Sequence, residues 1–75
     1  MNADNELDAR GLSCPLPILR TRKALSSMTS GQVLKIVATD HGSIKDMEAF
    51  SKQTGNELLS SSEENGEYVF YMKRK

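Results

Sequence analysis

Val33-Leu34-Lys35-Ile36-Val37-Ala38-Thr39 is the clearest strand in the chain, a run of β-branched and apolar residues bounded by turn formers. Gly31 precedes it and Asp40-His41-Gly42 follows. Upstream, Leu7 and Ala9 alternate with Asp8 and Arg10 as far as Gly11, the pattern of a short first strand. Between these two strands, Pro15 to Met28 reads as a helix. Its Pro17, Ile18, Thr21, Ala24, Leu25 and Met28 fall in one stripe at about 100° per residue, with Arg20, Arg22, Lys23, Ser26 and Ser27 outside it. Gly31 supplies the stop.

Downstream, Ser43 and Asp46 match a capping box that opens a second helix. Ile44, Met47, Phe50 and Thr54 form its buried stripe, and Gly55 ends it. Leu58 to Ser62 and Tyr68 to Lys73 read as two more strands, joined through Glu63-Glu64-Asn65-Gly66, an Asn-Gly hairpin signal. The order βαβαββ predicts an α/β two-layer sandwich, a four-stranded mixed sheet with both helices on one face. The first two strands are expected to run parallel through a right-handed crossover, and the last two to form an antiparallel hairpin. One domain over residues 1–75 is expected, with residues 1–5 disordered.

Hydrophobic residues make up 37% of the chain, and the five glycines bring the apolar fraction just below the roughly 45–50% usual for globular domains. One thin core follows, with a slim stability margin. Ten Lys and Arg balance ten Asp and Glu, so no overall field draws the protein to nucleic acid or an anionic membrane. No membrane span and no signal peptide is read in the sequence, and a cytoplasmic monomer without membrane association is expected. The single cysteine has no internal disulfide partner, and no second cysteine or histidine cluster completes a metal site, so no metal and no cofactor are expected. Sulfur chemistry at such a residue has to be completed by another molecule.

That residue is Cys14, in Cys14-Pro15-Leu16-Pro17. It stands at the entrance to the first helix, where free amides and the positive end of the dipole favour a thiolate, the nucleophilic form. Pro15 at the first helical position and Pro17 at the third fit a helix start, but they remove two of the four free N–H groups. Leu16 and Ile18 are left as the chief donors toward the sulfur, and a modest lowering of the thiol pKa is expected. Arg10 is a candidate to deepen it. The competing reading is an inert core thiol.

The stretch Leu7-Asp8-Ala9-Arg10-Gly11-Leu12-Ser13-Cys14-Pro15-Leu16-Pro17 resembles the signature of the TusA/SirA-like sulfur-carrier family, and the similarity continues through Arg22-Lys23-Ala24-Leu25, Gly31, Thr39-Asp40, Asp46 and Gly55. The resemblance implies a βαβαββ sandwich like the C-terminal domain of translation initiation factor three. It also implies that Cys14 bears a persulfide, loaded by a cysteine desulfurase or another sulfurtransferase and relayed to a downstream sulfur-acceptor protein. tRNA thiolation, cofactor supply and sulfur oxidation are the pathways it suggests. Some members carry glutamate between the two prolines, where this chain has Leu16, and that change suggests a different preferred partner.

Such a protein relays a covalent group and is a carrier rather than a free-standing enzyme. Leu16, Leu19, Arg20 and Lys23 project from the first helix beside Cys14 as a mixed apolar and basic face, expected to dock partners together with Arg10 and Lys45. His41 reads as a solvated loop residue without a fixed partner, Asp46 as a capping residue, and Lys73-Arg74-Lys75 as a solubilising end. Met28, Met47 and Met72 read as packing residues. Two readings stand against the carrier. Tyr68, Phe70 and Tyr71 beside a basic tail suggest an RNA-binding module, disfavoured by zero net charge, and a lone cysteine suggests a regulatory domain that senses oxidation.

Overall fold

A computed structural model describes residues 2–75, leaving Met1 outside the described residues. Its elements are β1 (Asn5–Ala9), α1 (Leu16–Ser26), β2 (Val33–Ala38), α2 (Ser43–Thr54), β3 (Glu57–Glu64) and β4 (Glu67–Lys73). They form one mixed sheet in the order β1-β2-β4-β3. β2 lies inside it, parallel to β1 with Leu7 opposite Ile36 and antiparallel to β4 with Ile36 opposite Phe70. The β-rich run therefore has neighbours on both sides.

Side chains alternate between the faces of a strand, so one register decides which residues form the core. Leu34, Ile36 and Ala38 of β2 and Tyr68, Phe70 and Met72 of β4 are buried, while the residues between them are half-exposed. α1 packs on β1 and β2, and α2 on β3 and β4. Both helices cover the buried face, adding Leu25, Met47 and Phe50 to the core, and Met28 joins them from the turn after α1. Pro17, Thr21 and Leu25, four residues apart, are the buried line of α1.

Three local expectations change. The stripe of α2 is turned toward Ser43, which is buried with Met47 and Phe50, while Ile44 is 36% exposed. Both sets satisfy helical spacing, and contact with the sheet selects one of them. The capping box does not form, because Gly42 is the N-cap and Ser43 already lies inside the helix. The hydroxyl of Ser43 is buried without a hydrogen-bond partner, and the Asp46 amide donates to the Gly42 carbonyl at 3.0 Å. The hairpin turn is shorter than expected: Asn65 and Gly66 alone make it, with φ of 53° and 79°, the two positive values a type I′ turn requires.

The chain ends are tied to the sheet. Asp4 bonds Val33 through both its amide and its carboxylate at 2.8 Å, and Asn5 already pairs in β1. At the other end Arg74 exchanges main-chain bonds with Gly31 and Gln32 at 2.8 Å, and its Nε donates to the Leu25 carbonyl at 2.9 Å. The Lys75 amide donates to Asn56 Oδ1 at 2.8 Å. The basic end is a structural clasp rather than a solubilising tail, because strand pairing continues past β4 and Arg74 adds a second donor to the Leu25 carbonyl near the end of α1, which also accepts from the Met28 amide at 3.0 Å.

Candidate functional site

Cys14 is exposed in the loop that leads from β1 into α1. Pro15 is the N-cap, so Leu16 and Pro17 take the first two helical positions, one earlier than the sequence suggests. The Cys14–Pro15 peptide is cis. The Leu16 amide donates to the Ser13 carbonyl at 2.9 Å, and the Ile18 and Leu19 amides both donate to the Pro15 carbonyl at 3.1 Å. Two prolines have no N–H, and the amides expected to face the sulfur are already engaged by main-chain oxygen. The helix start offers the thiol no free donor.

Carboxylates reach the thiol instead. α1 and α2 border a cleft of about 220 Å³, lined by Cys14, Pro15, Ile18 and Arg22 on one side and Asp46, Ala49, Phe50 and Gln53 on the other. The Cys14 pKa is pushed above the ordinary thiol value, first by hydrogen bonding to Asp46, then by desolvation, then by the charges of Asp46 and Asp40. Each cause favours the neutral thiol. The expected lowering is thereby reversed, and the reason is tertiary: the groups responsible come from α2 and the loop before it. The contact is loose, since Asp46 Oδ2 is buried without a partner that meets full hydrogen-bond geometry. Gly42 lies beside both acids, for a Cβ there would stand 3.1 Å from Asp40 Oδ2 and 3.9 Å from Asp46 Oδ2. Among the described residues, no three His, Cys, Asp or Glu side chains gather into a metal-binding set.

The cations are placed differently from the sequence-based expectation. Arg10 is held by Asp8 at 2.9 Å and Glu67 at 3.4 Å, and it is not among the groups that shift Cys14. Its guanidinium pulls Asp8 down to about 2, chiefly by side-chain hydrogen bonding. Arg20 and Lys23 are exposed and line another hollow with Leu7, Ala24, Ser26 and Ser27, on the β1 side of α1. Leu16 and Leu19 are exposed by 40% and 51%, and Lys45 is exposed on α2.

Arg22 is the basic residue that shares the cleft with Cys14, its guanidinium 5.7 Å from the centre of the Phe50 ring. A signal for it is present in the spacing, because Ile18 and Arg22 are four residues apart on one side of α1 and Cys14 precedes Ile18 by the same step. Asp46 and Gln53, seven apart on α2, carry the matching signal. His41 has a fixed partner after all. Its Nδ1 lies 2.6 Å from the hydroxyl of buried Tyr68, whose polar end would otherwise lack a partner near the core.

A family model described as sulfurtransferase TusA matches residues 5–74. The chain is 62% identical over 71 residues to the sulfur carrier protein TusA of Allochromatium vinosum, covering 95% of this chain and 93% of that one. It is 49% identical over 75 residues to a putative sulfur carrier protein of Neisseria meningitidis serogroup A, with both chains covered completely. Its fold matches the crystal structure of a SirA-like protein from Desulfitobacterium hafniense with a TM-score of 0.81 at 22% identity, over 92% of this chain and 95% of the other. No helix among the described residues is long and apolar enough to cross a membrane.

Proposed function

The chain belongs to the TusA family, and from that premise we propose that it is a sulfur carrier that holds sulfur as a persulfide on Cys14. The observation that carries this reading is the position of its single cysteine, exposed at the start of α1 where another protein can reach it. A cysteine desulfurase or another sulfurtransferase serves as donor, and a protein thiol downstream as acceptor. Cys14 thiolate attacks the outer sulfur of the donor persulfide, a new S–S bond forms, and the donor thiolate departs. The onward step repeats this with an acceptor thiolate. A lone cysteine supports the relay because no internal thiol can expel the sulfur as a disulfide.

Leu16, Leu19, Arg20 and Lys23 are the proposed docking face, with Lys45 at the α2 side and Arg10 at the β1 end. The chain acts as a carrier with its partners rather than as an enzyme alone, and we place it in the cytoplasm, where thiols are kept reduced. tRNA thiolation, cofactor supply and sulfur oxidation are the candidate destinations. Incubation with a cysteine desulfurase and cysteine, followed by intact mass, tests the reading. The expected result is a gain of one sulfur, about 32 Da, lost on reduction and absent from Cys14→Ser. No gain with several desulfurases would overturn it, and salt-sensitive RNA binding in the same preparation would select the RNA-binding module.

A further inference from the structure

The acid beside Cys14 is left unexplained by helix capping and by any ion pair. Asp46 sits on α2, yet its Oδ2 is buried without a hydrogen-bond partner. The charged groups bordering the thiol are Asp46 from α2, Asp40 from the β2–α2 loop and Arg22 from α1. Arg22 makes no ion pair with Asp46: the ion pairs among the described residues belong to Arg10, and the Arg22 guanidinium lies over Phe50. Asp46 has the dipole of the first turn of α2 in its favour but no cation paired with it, so the cleft holds an unpaired negative charge beside its thiol. An arrangement that favours the thiol is the reverse of what a freely reactive cysteine needs.

We propose that Asp46 is a positioning residue that keeps resting Cys14 protonated, and that a sulfur donor activates it by bringing a cationic side chain into the cleft between α1 and α2. The proposal rests on the sulfur-carrier reading and adds how the site is regulated and what charge its partner presents. The fit is one of charge: a lysine or arginine head entering the cleft that Asp46 lines offsets the field that disfavours the thiolate. Withdrawal of the partner restores the thiol. An unloaded carrier is then protected from stray disulfide exchange and oxidation, both of which proceed through the thiolate.

Loading is redox-neutral. Cys14–SH and donor S–SH become Cys14–S–SH and donor–SH: one S–S bond forms as another breaks, and the Cys14 proton ends on the released donor thiolate. The cation changes only how readily that proton leaves.

The test needs no identified donor. The rate of Cys14 alkylation by iodoacetamide is measured against pH for the native chain, Asp46→Asn and Asp46→Glu. Asp46→Asn is expected to lower the midpoint and to speed alkylation near neutral pH, by about threefold for each pH unit through which the midpoint falls, since reduced nucleophilicity cancels part of the gain in thiolate. Asp46→Glu is expected to keep a raised midpoint, which separates charge from packing. In parallel, cystamine, a cationic disulfide, is compared with neutral hydroxyethyl disulfide. Native Cys14 is expected to prefer cystamine by several-fold, and Asp46→Asn to lose most of that preference. Equal alkylation midpoints in native and Asp46→Asn, or a cationic preference that survives the substitution, would overturn the proposal. Neither readout involves sulfur transfer, so failure of the carrier reading would be seen separately in the mass experiment.

Discussion

The Leu16 amide donates to the Ser13 carbonyl at 2.9 Å, so the first N–H after the Cys14-Pro15 pair is spent on the main chain. A helix start can stabilise an anion only through donors that remain free. Here they are engaged, and the carboxylates of Asp46 and Asp40 dominate the thiol.

The native protein should accordingly show a thiol that titrates late. Hydrogen bonding to Asp46, then desolvation and the charges of Asp46 and Asp40, favour the protonated form, so the thiolate is a minor species at neutral pH and grows as pH rises. The alkylation midpoint of Cys14 is expected above that of a free cysteine thiol measured under the same conditions. A mass-spectrometric rate profile checks this, and a midpoint below that value would contradict the geometry of the cleft.

Arg74 should contribute to stability from what looks like a tail. Its Nε caps the Leu25 carbonyl while its stem lies partly buried. Arg74→Ala removes that charge-assisted bond and the packing of the stem but leaves the carbonyl bonded to the Met28 amide, an expected loss of about 1 kcal/mol. Urea unfolding reads this as a lower midpoint with an unchanged slope.

The β3–β4 hairpin depends on its turn. Gly66 has φ of 79°, in the left-handed region, and nothing stands within 4 Å of where a Cβ would be. The cost of Gly66→Ala is therefore backbone strain without a clash, expected at about 1–2 kcal/mol. Gly66→Asn should recover part of it, because asparagine tolerates that region. Thermal melts of the two variants compare them directly.

If the exposed face of α1 receives the donor, Arg20→Glu combined with Lys23→Glu should slow loading by about tenfold at low salt, and less as salt screens the encounter. Time-resolved intact mass with a desulfurase measures it. An unchanged rate would assign docking elsewhere, with the Arg22 side of the helix as the alternative.

The succession of elements and the helix positions were legible because each element carries its own period. Val33 to Thr39 is rich in β-branched residues, Pro17, Thr21 and Leu25 repeat every four, and Asn65-Gly66 names its turn. Where two patterns satisfied one period, as with Ile44 and Ser43 on α2, local reasoning took the more apolar set and the sheet took the other. The same limit applied to Asp46. Its place in a capping-box pattern gave it a local explanation, and only the packing of α2 against α1 showed its carboxylate beside Cys14.

Short-range periodicity was enough to set the order of elements and the core face of the sheet, and the presence of one cysteine singled out the candidate site. How that cysteine behaves came from the folded arrangement. A thiol pKa depends on charges and donors within a few ångströms, and those around Cys14 come from residues about thirty positions away, brought there by the packing of α2 against α1.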